Sequence, residues 1–226
     1  MTKDTIRARI VDIGVIPSIC SASAEDARWA ARTVASAGIP IIEVTMTVPD
    51  ALTVIADLAR DLPGLLVGAG TIFDVHTARC CVEAGARFVS SPGLDLTIVE
   101  FARKAGVLAM PGALTPTEVT AAWQSGADLI KVFPCAQVGG ASYIRALKAP
   151  FPDVPFVAAG GVNLQTAAEF FAAGAAAIGV GGELIPKGAV LRRNAHWITE
   201  LARRFLGITH EARTQAIARN EIFDRR

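Results

Sequence analysis

The chain has 226 residues, 52% of them hydrophobic and 6% aromatic, and its formal net charge at pH 7 is +1. That length fits one large domain or two small ones and is enough to bury a sizeable core. A near-neutral charge without a dense basic stripe argues against nucleic acid and anionic membrane surfaces as main partners. We expect no membrane segment, because no apolar run reaches the length that spans a bilayer and residues 1–9 lack the apolar core of a signal peptide.

Cysteine and histidine positions bear on the compartment and on metal binding. The four cysteines form no C-x-x-C pair: Cys20, Cys80, Cys81 and Cys135. Free thiols of this kind are typical of reduced, cytoplasmic proteins. The three histidines are scattered over predicted helices: His76, His196 and His210. The sequence therefore predicts a cytoplasmic protein with no metal site and no cofactor.

A loose internal repeat organises the chain. A helical stretch ends in a small residue and glycine, and a short apolar strand follows, as in Ala37-Gly38 before Ile41–Thr45 and Ala173-Gly174 before Ala177–Val180. Glycine suits helix C-termini, where the backbone turns left-handed. Such units in series predict right-handed βαβ crossovers and a parallel sheet.

Eight strands alternate with helices in this pattern. We predict the strands at Val11–Ile19, Ile39–Thr45, Leu65–Gly68, Phe88–Ser90, Val107–Met110, Leu129–Phe133, Phe156–Ala158 and Ala177–Val180. We predict the intervening helices at Ala24–Ser36, Asp50–Asp61, Asp74–Ala84, Asp95–Lys104, Pro116–Ser125, Ala141–Leu147 and Leu164–Ala173. Residues suited to N-capping precede or open several of them: Ser23, Asp74, Asp95, Thr115 and Asn163.

This count predicts a single-domain α/β protein, a (β/α)8 TIM barrel over residues 1–226. The barrel spans about residues 10–206, with an N-terminal helix at Lys3–Arg9 before it. Two C-terminal helices are predicted at Asn194–Phe205 and Glu211–Asn220, the second within a helical tail of about residues 207–226. A doubly wound open sheet is the alternative fold.

One lysine stands apart from the other four. Lys131 lies in the apolar run Asp128–Pro134, which is predicted to be a buried strand, whereas the others lie in polar surroundings. A buried ammonium must be paired, reach water or give up its proton. Lys131 is therefore either a structural partner of a carboxylate or an amine that attacks a carbonyl and forms a Schiff base.

The predicted strand ends carry small residues, which would leave a cavity at the C-terminal mouth of the barrel, where active sites of this fold lie. Glu43 sits in an apolar strand and is either a structural partner or a general acid/base beside Lys131. If both side chains point inward, they should titrate as a coupled pair. The glycines after strands 7 and 8 are either turn residues or an anion site built from backbone N–H groups: Gly160, Gly161, Gly181 and Gly182.

The motifs at these strand ends resemble one family. They read Glu43-Val44-Thr45, Gly68-Ala69-Gly70-Thr71, Ser91-Pro92-Gly93, Lys131-Val132-Phe133-Pro134, Gly160-Gly161 and Gly181-Gly182. In this order they resemble the 2-keto-3-deoxy-6-phosphogluconate (KDPG) and 4-hydroxy-2-oxoglutarate (KHG) aldolases over about residues 5–205. The resemblance implies a class I aldolase without metal or cofactor, and a homotrimer. It implies Lys131 as the Schiff-base lysine and Glu43 as the general acid/base.

The resemblance also implies where substrate binds. Thr71 and Pro92 fall on pyruvate-pocket positions, and the four glycines fall on the phosphate end. The complete set of predicted substrate-binding residues is Thr45, Thr47, Thr71, Pro92, Phe133, Gly160, Gly161, Gly181, Gly182 and Glu183.

Three positions depart from the family pattern. Cys20 follows Pro17-Ser18-Ile19 where the family often has a basic residue, and Thr47 stands where it usually has arginine. Glu183 follows the strand 8 glycines where many members have serine. Two cations are absent and one anion is added, so phosphate recognition stays open while the lysine chemistry is intact.

The sequence thus predicts a lyase that cleaves a 2-keto-3-deoxy sugar acid to pyruvate and an aldehyde. KDPG, giving glyceraldehyde 3-phosphate, is the leading substrate, and KHG or another 2-keto-3-deoxy acid is the alternative. Two other classes stay open, since fold alone does not fix function: a phosphosugar isomerase or epimerase, and a non-catalytic sugar-acid binding barrel.

Overall fold

A computed structural model describes residues 1–223 of the chain, in which eight parallel strands form a barrel. The strands are β1 Val15–Ile19, β2 Ile41–Thr45, β3 Leu66–Gly70, β4 Phe88–Ser90, β5 Leu108–Met110, β6 Ile130–Val132, β7 Phe156–Ala159 and β8 Ala177–Val180. Hydrogen-bonded neighbours run β5-β4-β3-β2-β1-β8-β7-β6. The predicted (β/α)8 barrel is confirmed, and the open-sheet alternative is wrong.

The backbone of Lys131 joins the two ends of this sheet. Its N–H donates to the carbonyl of Pro111 at 2.9 Å, and its carbonyl accepts from the N–H of Ala113 at 2.9 Å. A parallel bridge pairs Gly112 with Lys131 at the same point. The residue predicted to carry the chemistry is therefore fixed where β5 meets β6 and the barrel closes.

Helices surround the strands in the described residues. They are α1 Lys3–Ile13, α2 Ala24–Ser36, α3 Ala51–Asp61, α4 Val75–Glu83, α5 Leu96–Ala105, α6 Pro116–Gln124, α7 Ala141–Lys148, α8 Ala167–Ala172, α9 Lys187–Leu191 and α10 Ala195–Phe223, with a 3-10 turn at Ala136–Val138. Four predicted caps accept a hydrogen bond from a backbone N–H of their helix: Ser23, Asp74, Asp95 and Thr115. No helix within residues 1–223 is long and apolar enough to cross a membrane.

The predicted start of the first strand, at Val11, was wrong. The apolar residues Val11 and Ile13 belong to the last turn of α1, which extends well past the predicted end at Arg9. Gly14 ends the helix with φ 72°, and its N–H donates to the carbonyl of Ile10. Apolar residues on both sides of a helix end look like one strand when only the pattern is read.

The helices differ from expectation in other places too. Asn163 does not cap α8, which starts later; its Oδ1 instead accepts from the N–H groups of Gln165 and Thr166 at 3.0 Å each. Helix α9 was not predicted. The two predicted C-terminal helices form one helix, because α10 continues through Gly207. A glycine inside a helix costs only about 1 kcal/mol relative to alanine, which is too little to end the helix here. Residues 224–226 of the predicted tail lie outside the described residues.

The N-terminal end of the barrel is closed by α1. Ile6 and Ile10 are buried there against the first residues of the strands, such as Ile41, Leu66 and Phe88. This apolar cluster fills the interior of the barrel at the N-terminal ends of the strands. The opposite end, at the strands' C-termini, is left for the site.

Candidate active site

An amine and a carboxylate meet inside the barrel near the C-terminal ends of the strands. Lys131 on β6 and Glu43 on β2 are 8% and 2% exposed, and Lys131 Nζ lies 3.5 Å from Glu43 Oε1. The two residues are 88 positions apart in the sequence. The fold therefore brings together the two side chains that the sequence singled out.

Glu43 fits because β3 has no side chain beside it. A Cβ placed on Gly70 would lie 2.4 Å from Cδ and Oε1 of Glu43, far inside van der Waals contact. Thr71, the next residue, has φ 60°, a conformation that is rare and costly for a β-branched residue. Gly70 thus leaves room for the Glu43 carboxylate, and the backbone at Thr71 is held in a strained conformation beside it.

Two serine hydroxyls, which sequence reasoning missed, complete the contacts of this pair. Ser90 on β4 is 2% exposed, and its Oγ accepts from Lys131 Nζ at 3.1 Å. Ser18 on β1 donates to Glu43 Oε1 at 3.1 Å and is directly opposite Glu43 in the strand register. Each is a polar residue in an otherwise apolar strand, which was the signal available in the sequence.

A cavity of about 400 Å³ opens above the pair. The residues predicted to act that line it are Glu43, Thr45, Thr71, Pro92, Lys131, Phe133, Gly160, Gly161, Gly181, Gly182 and Glu183. Ser18 and Cys20 line it too. Thr47 does not line the cavity, but its hydroxyl lies 2.6 Å from that of Thr45, which donates to the carbonyl of Ile19.

The cavity has an apolar wall beside the amine and a charged rim. The ring of Phe133 is 38% exposed, and its centroid lies 5.7 Å from Lys131 Nζ. Glu183 is exposed at the rim, next to the two glycines that follow β8.

A second cavity of about 260 Å³ adjoins the first and shares Ser18, Cys20 and Gly182 with it. Lys187 lines this side cavity and places a cation beyond the glycine loop.

Lys131 is the one amine among the described residues that line this cavity, and it lies against the Glu43 carboxylate. The nearby Cys135 is fully buried, and burial raises the pKa of its thiol to about 11, which keeps it protonated at neutral pH. Among the described residues, no group of three or more His, Cys, Asp or Glu side chains is placed to hold a metal ion. A buried amine beside a carboxylate at the mouth of a (β/α)8 barrel is suited to enzymes that form a Schiff base with a carbonyl substrate.

Comparison with known proteins places the chain in a family of such enzymes. The chain belongs to the KDPG and KHG aldolase family, whose model matches residues 6–201, and it is therefore an aldolase, a carbon–carbon lyase. The 2-dehydro-3-deoxy-phosphogluconate aldolase of Pseudomonas aeruginosa is 31% identical over 85% of this chain and 87% of its own length. The enzyme of the same name from Treponema pallidum is 32% identical over 90% of this chain and 97% of its own.

A solved structure agrees in fold and sequence. It is the KDPG aldolase of Legionella pneumophila, with pyruvate captured as a covalent carbinolamine intermediate. The two chains are 31% identical and superpose with a TM-score of 0.82, covering 87% of this chain and 95% of that one.

Proposed function

We propose that this chain is a class I aldolase that uses Lys131 as the Schiff-base lysine and cleaves KDPG to pyruvate and glyceraldehyde 3-phosphate. The observation that carries the proposal is the contact of Lys131 Nζ with the Glu43 carboxylate, beneath a cavity at the strands' C-terminal ends. The names of the relatives support the substrate class.

The first half of the reaction makes an electron sink. The neutral amine of Lys131 attacks the C2 carbonyl of the substrate and forms a carbinolamine. Water then leaves, with Glu43 moving the protons, and a protonated imine remains. Its positive charge accepts the electron pair that the next bond cleavage releases.

The second half breaks the carbon chain. Glu43, directly or through a water, takes the proton of the C4 hydroxyl, and the C3–C4 bond breaks. The aldehyde departs, and the bonding electrons flow into the imine to give an enamine. Protonation at C3 and hydrolysis release pyruvate and restore the amine, so a carboxylate must both take and return protons at the substrate.

The wall residues divide between the two halves of the substrate. Thr71, Pro92 and Phe133 line the cavity with Lys131 and would bind the pyruvate part. Thr45 lines it as well, and Thr47, behind the wall, contacts the hydroxyl of Thr45. The backbone N–H groups of the loops at 160–161 and 181–182 would receive the terminal anion.

KHG is a second candidate substrate, and Glu183 is the observation that favours it. Glu183 lines the rim of the cavity, and KHG, which ends in a singly charged carboxylate on a shorter chain, would meet less repulsion there than the phosphate of KDPG. Two like charges ~4 Å apart in water repel by about 1 kcal/mol, which is about fivefold in affinity. We expect Glu183→Ser to raise the kcat/KM ratio of KDPG to KHG by about that factor, whereas an unchanged ratio would mean that Glu183 does not face the phosphate.

Assembly and compartment are part of the proposal. A homotrimer, as the family resemblance implies, would cover large apolar side chains such as Phe73 and Leu96, which are 69% and 48% exposed. Sedimentation should then give three times the chain mass of 23.6 kDa. The free cysteines suit the reducing cytoplasm.

The direct test supplies purified protein with KDPG, KHG and an unphosphorylated 2-keto-3-deoxy acid, and measures pyruvate with a coupled dehydrogenase. We expect pyruvate from KDPG or KHG, at a rate that EDTA does not change. Loss of activity in EDTA and its return with a divalent ion would contradict the lysine mechanism. Conversion of a sugar phosphate without pyruvate would favour an isomerase or epimerase, and binding without turnover a sugar-acid binding protein.

A further inference from the structure

Ser90 makes the shorter of the two side-chain hydrogen bonds of the Lys131 amine. Its Oγ lies 3.1 Å from Nζ, whereas Glu43 Oε1 lies 3.5 Å away. Among residues 1–214, whose side chains the structure describes, the hydroxyl of Ser90 has no other hydrogen-bond partner. A buried hydroxyl without a partner costs free energy, so the hydrogen bond to the Lys131 amine is what accounts for a serine at this position.

The number of acceptors matches the form of the amine that reacts. A neutral amine has two N–H bonds and one lone pair, and the two acceptors in contact with Nζ are Ser90 and Glu43. When both N–H bonds are taken, the lone pair occupies the remaining direction and is free to attack a carbonyl. Two acceptors therefore orient the nucleophile better than Glu43 alone.

The imine stage separates the two acceptors. The protonated imine keeps one N–H, and Glu43 is needed elsewhere, at the hydroxyl and carbon that exchange protons. Glu43 Oε1 also accepts from Ser18. When the Glu43 carboxylate shifts toward the substrate, the N–H of the imine needs another acceptor. Ser90 is in place for that, on a strand that does not contribute Glu43 or Lys131.

We propose that Ser90 is a catalytic residue of the Schiff-base step: it accepts an N–H of Lys131 in the amine and the imine, and so frees Glu43 for proton transfer at the substrate. This inference rests on the proposed function of Lys131.

The neighbouring Ser91 shows what a structural serine in this strand end does. Its hydroxyl donates to the backbone carbonyl of Gly93 at 2.7 Å and shapes the turn. The hydroxyl of Ser90 instead reaches 41 positions along the chain to a reacting atom.

The test compares Ser90→Thr with Ser90→Val, which share shape and differ in the hydroxyl. Ser125→Ala is the control, because the hydroxyl of Ser125 donates to the carbonyl of Ala122 at the end of α6, away from the cavity. Measured quantities are the rate of pyruvate-dependent adduct formation trapped by borohydride, kcat and KM for cleavage, and the melting temperature. The protonated imine is charged, so loss of its hydrogen bond to Ser90 should slow adduct formation by about tenfold to 100-fold.

We expect Ser90→Val to form the adduct at least about tenfold more slowly than Ser90→Thr, and to lose kcat rather than gain KM, with similar melting temperatures. Equal adduct rates in the Thr and Val variants would overturn the role of Ser90 and leave the proposed function standing. If wild type and Ser125→Ala form no adduct with pyruvate, the proposed function fails first.

Discussion

The two ends of the barrel differ in what fills them. At the N-terminal end, α1 buries Ile6 and Ile10 against the first residues of the strands. At the C-terminal end, the same interior holds Lys131 and Glu43. Burying apolar side chains stabilises a fold, whereas burying charge costs free energy unless the charge is paired. The N-terminal end of the barrel therefore stabilises the fold, whereas the C-terminal end holds the reactive groups and lowers the stability of the fold.

The ion pairs of the two ends show the same contrast. At the closed end, Lys3 Nζ lies 2.9 Å from Asp128 Oδ1, and Oδ2 accepts from the N–H of Ala109 at 2.9 Å. In the site, the Lys131–Glu43 distance is 3.5 Å, and both residues line a cavity. The first pair is a short structural link between α1 and the loop before β6. The second is looser and open to substrate.

Removing the amine should have the largest effect, and at the C-terminal end only. We expect Lys131→Met to lower kcat/KM by at least ~10⁴-fold, the scale on which loss of a catalytic nucleophile acts. Circular dichroism should still show a cooperative thermal transition, because the α1 cluster is untouched. Substantial cleavage by the folded variant would assign the chemistry to another group.

Truncating the closed end should do the reverse. Ile10 is 0% exposed, and Ile10→Ala should lower the free energy of unfolding by about 2–5 kcal/mol, the range for such buried truncations. Urea denaturation measures the loss, and Ile10→Val should cost only ~0.5–1.5 kcal/mol. The kcat below the unfolding transition should match wild type; a large fall in kcat would mean that the two ends are coupled.

Glu43→Gln separates proton transfer from covalent attachment. We expect turnover to fall by about 10²-fold or more, the usual scale for a general acid/base, while trapping of pyruvate on Lys131 persists at some level. Steady-state kinetics and intact-protein mass measure the two. Near-normal turnover would make Glu43 a structural partner only.

The smallest expected effect is at the N-terminus of helix α6. Glu118 accepts from the N–H groups of Leu114 and Thr115 at 2.8 Å each, and the Leu114 bond above all holds the pKa of this carboxyl below its ordinary value. Because the folded pKa is depressed, its stabilisation is present above the ordinary glutamate pKa of about 4.3 and is lost as pH falls through the folded value.

Glu118→Gln should therefore cost ~0.3–1 kcal/mol at neutral pH, the range for a charge at a helix N-terminus. The difference from wild type should shrink as pH falls below about 4. Urea denaturation across pH measures it, and a difference that does not change with pH would exclude the charge as its source.

Most of the fold followed from one repeated pattern. The glycines that follow helical stretches, such as Gly38 and Gly174, precede strands as predicted, and β4 and β8 have the predicted bounds. Where the pattern failed, as at Val11 and Ile13, apolar residues of a helix end adjoin those of a strand. Only the packing of α1 against the barrel shows where the helix ends and the strand begins. The local pattern of apolar residues carries no information on that packing.

The site was predictable in part for a physical reason. A lysine or glutamate in an apolar strand is unusual enough to notice, so Lys131 and Glu43 could be singled out before the fold was known. Serine in an apolar strand is a weaker signal, because its hydroxyl is small and uncharged and is readily paired. That Ser18 and Ser90 contact the pair depends on strand register and on closure of the barrel, which link residues distant in the sequence.

The position of the covalent bond is the most direct measurement. Pyruvate and borohydride are added to the native enzyme, and digestion followed by mass spectrometry locates the added mass. Lys148 is an internal control: burial lowers the pKa of its amine, yet its Nζ bonds the carbonyls of Pro152 and Val154 before β7, at the closed end. We expect the label on Lys131 alone. A label on Lys148, or none at all, would contradict a site built on Lys131.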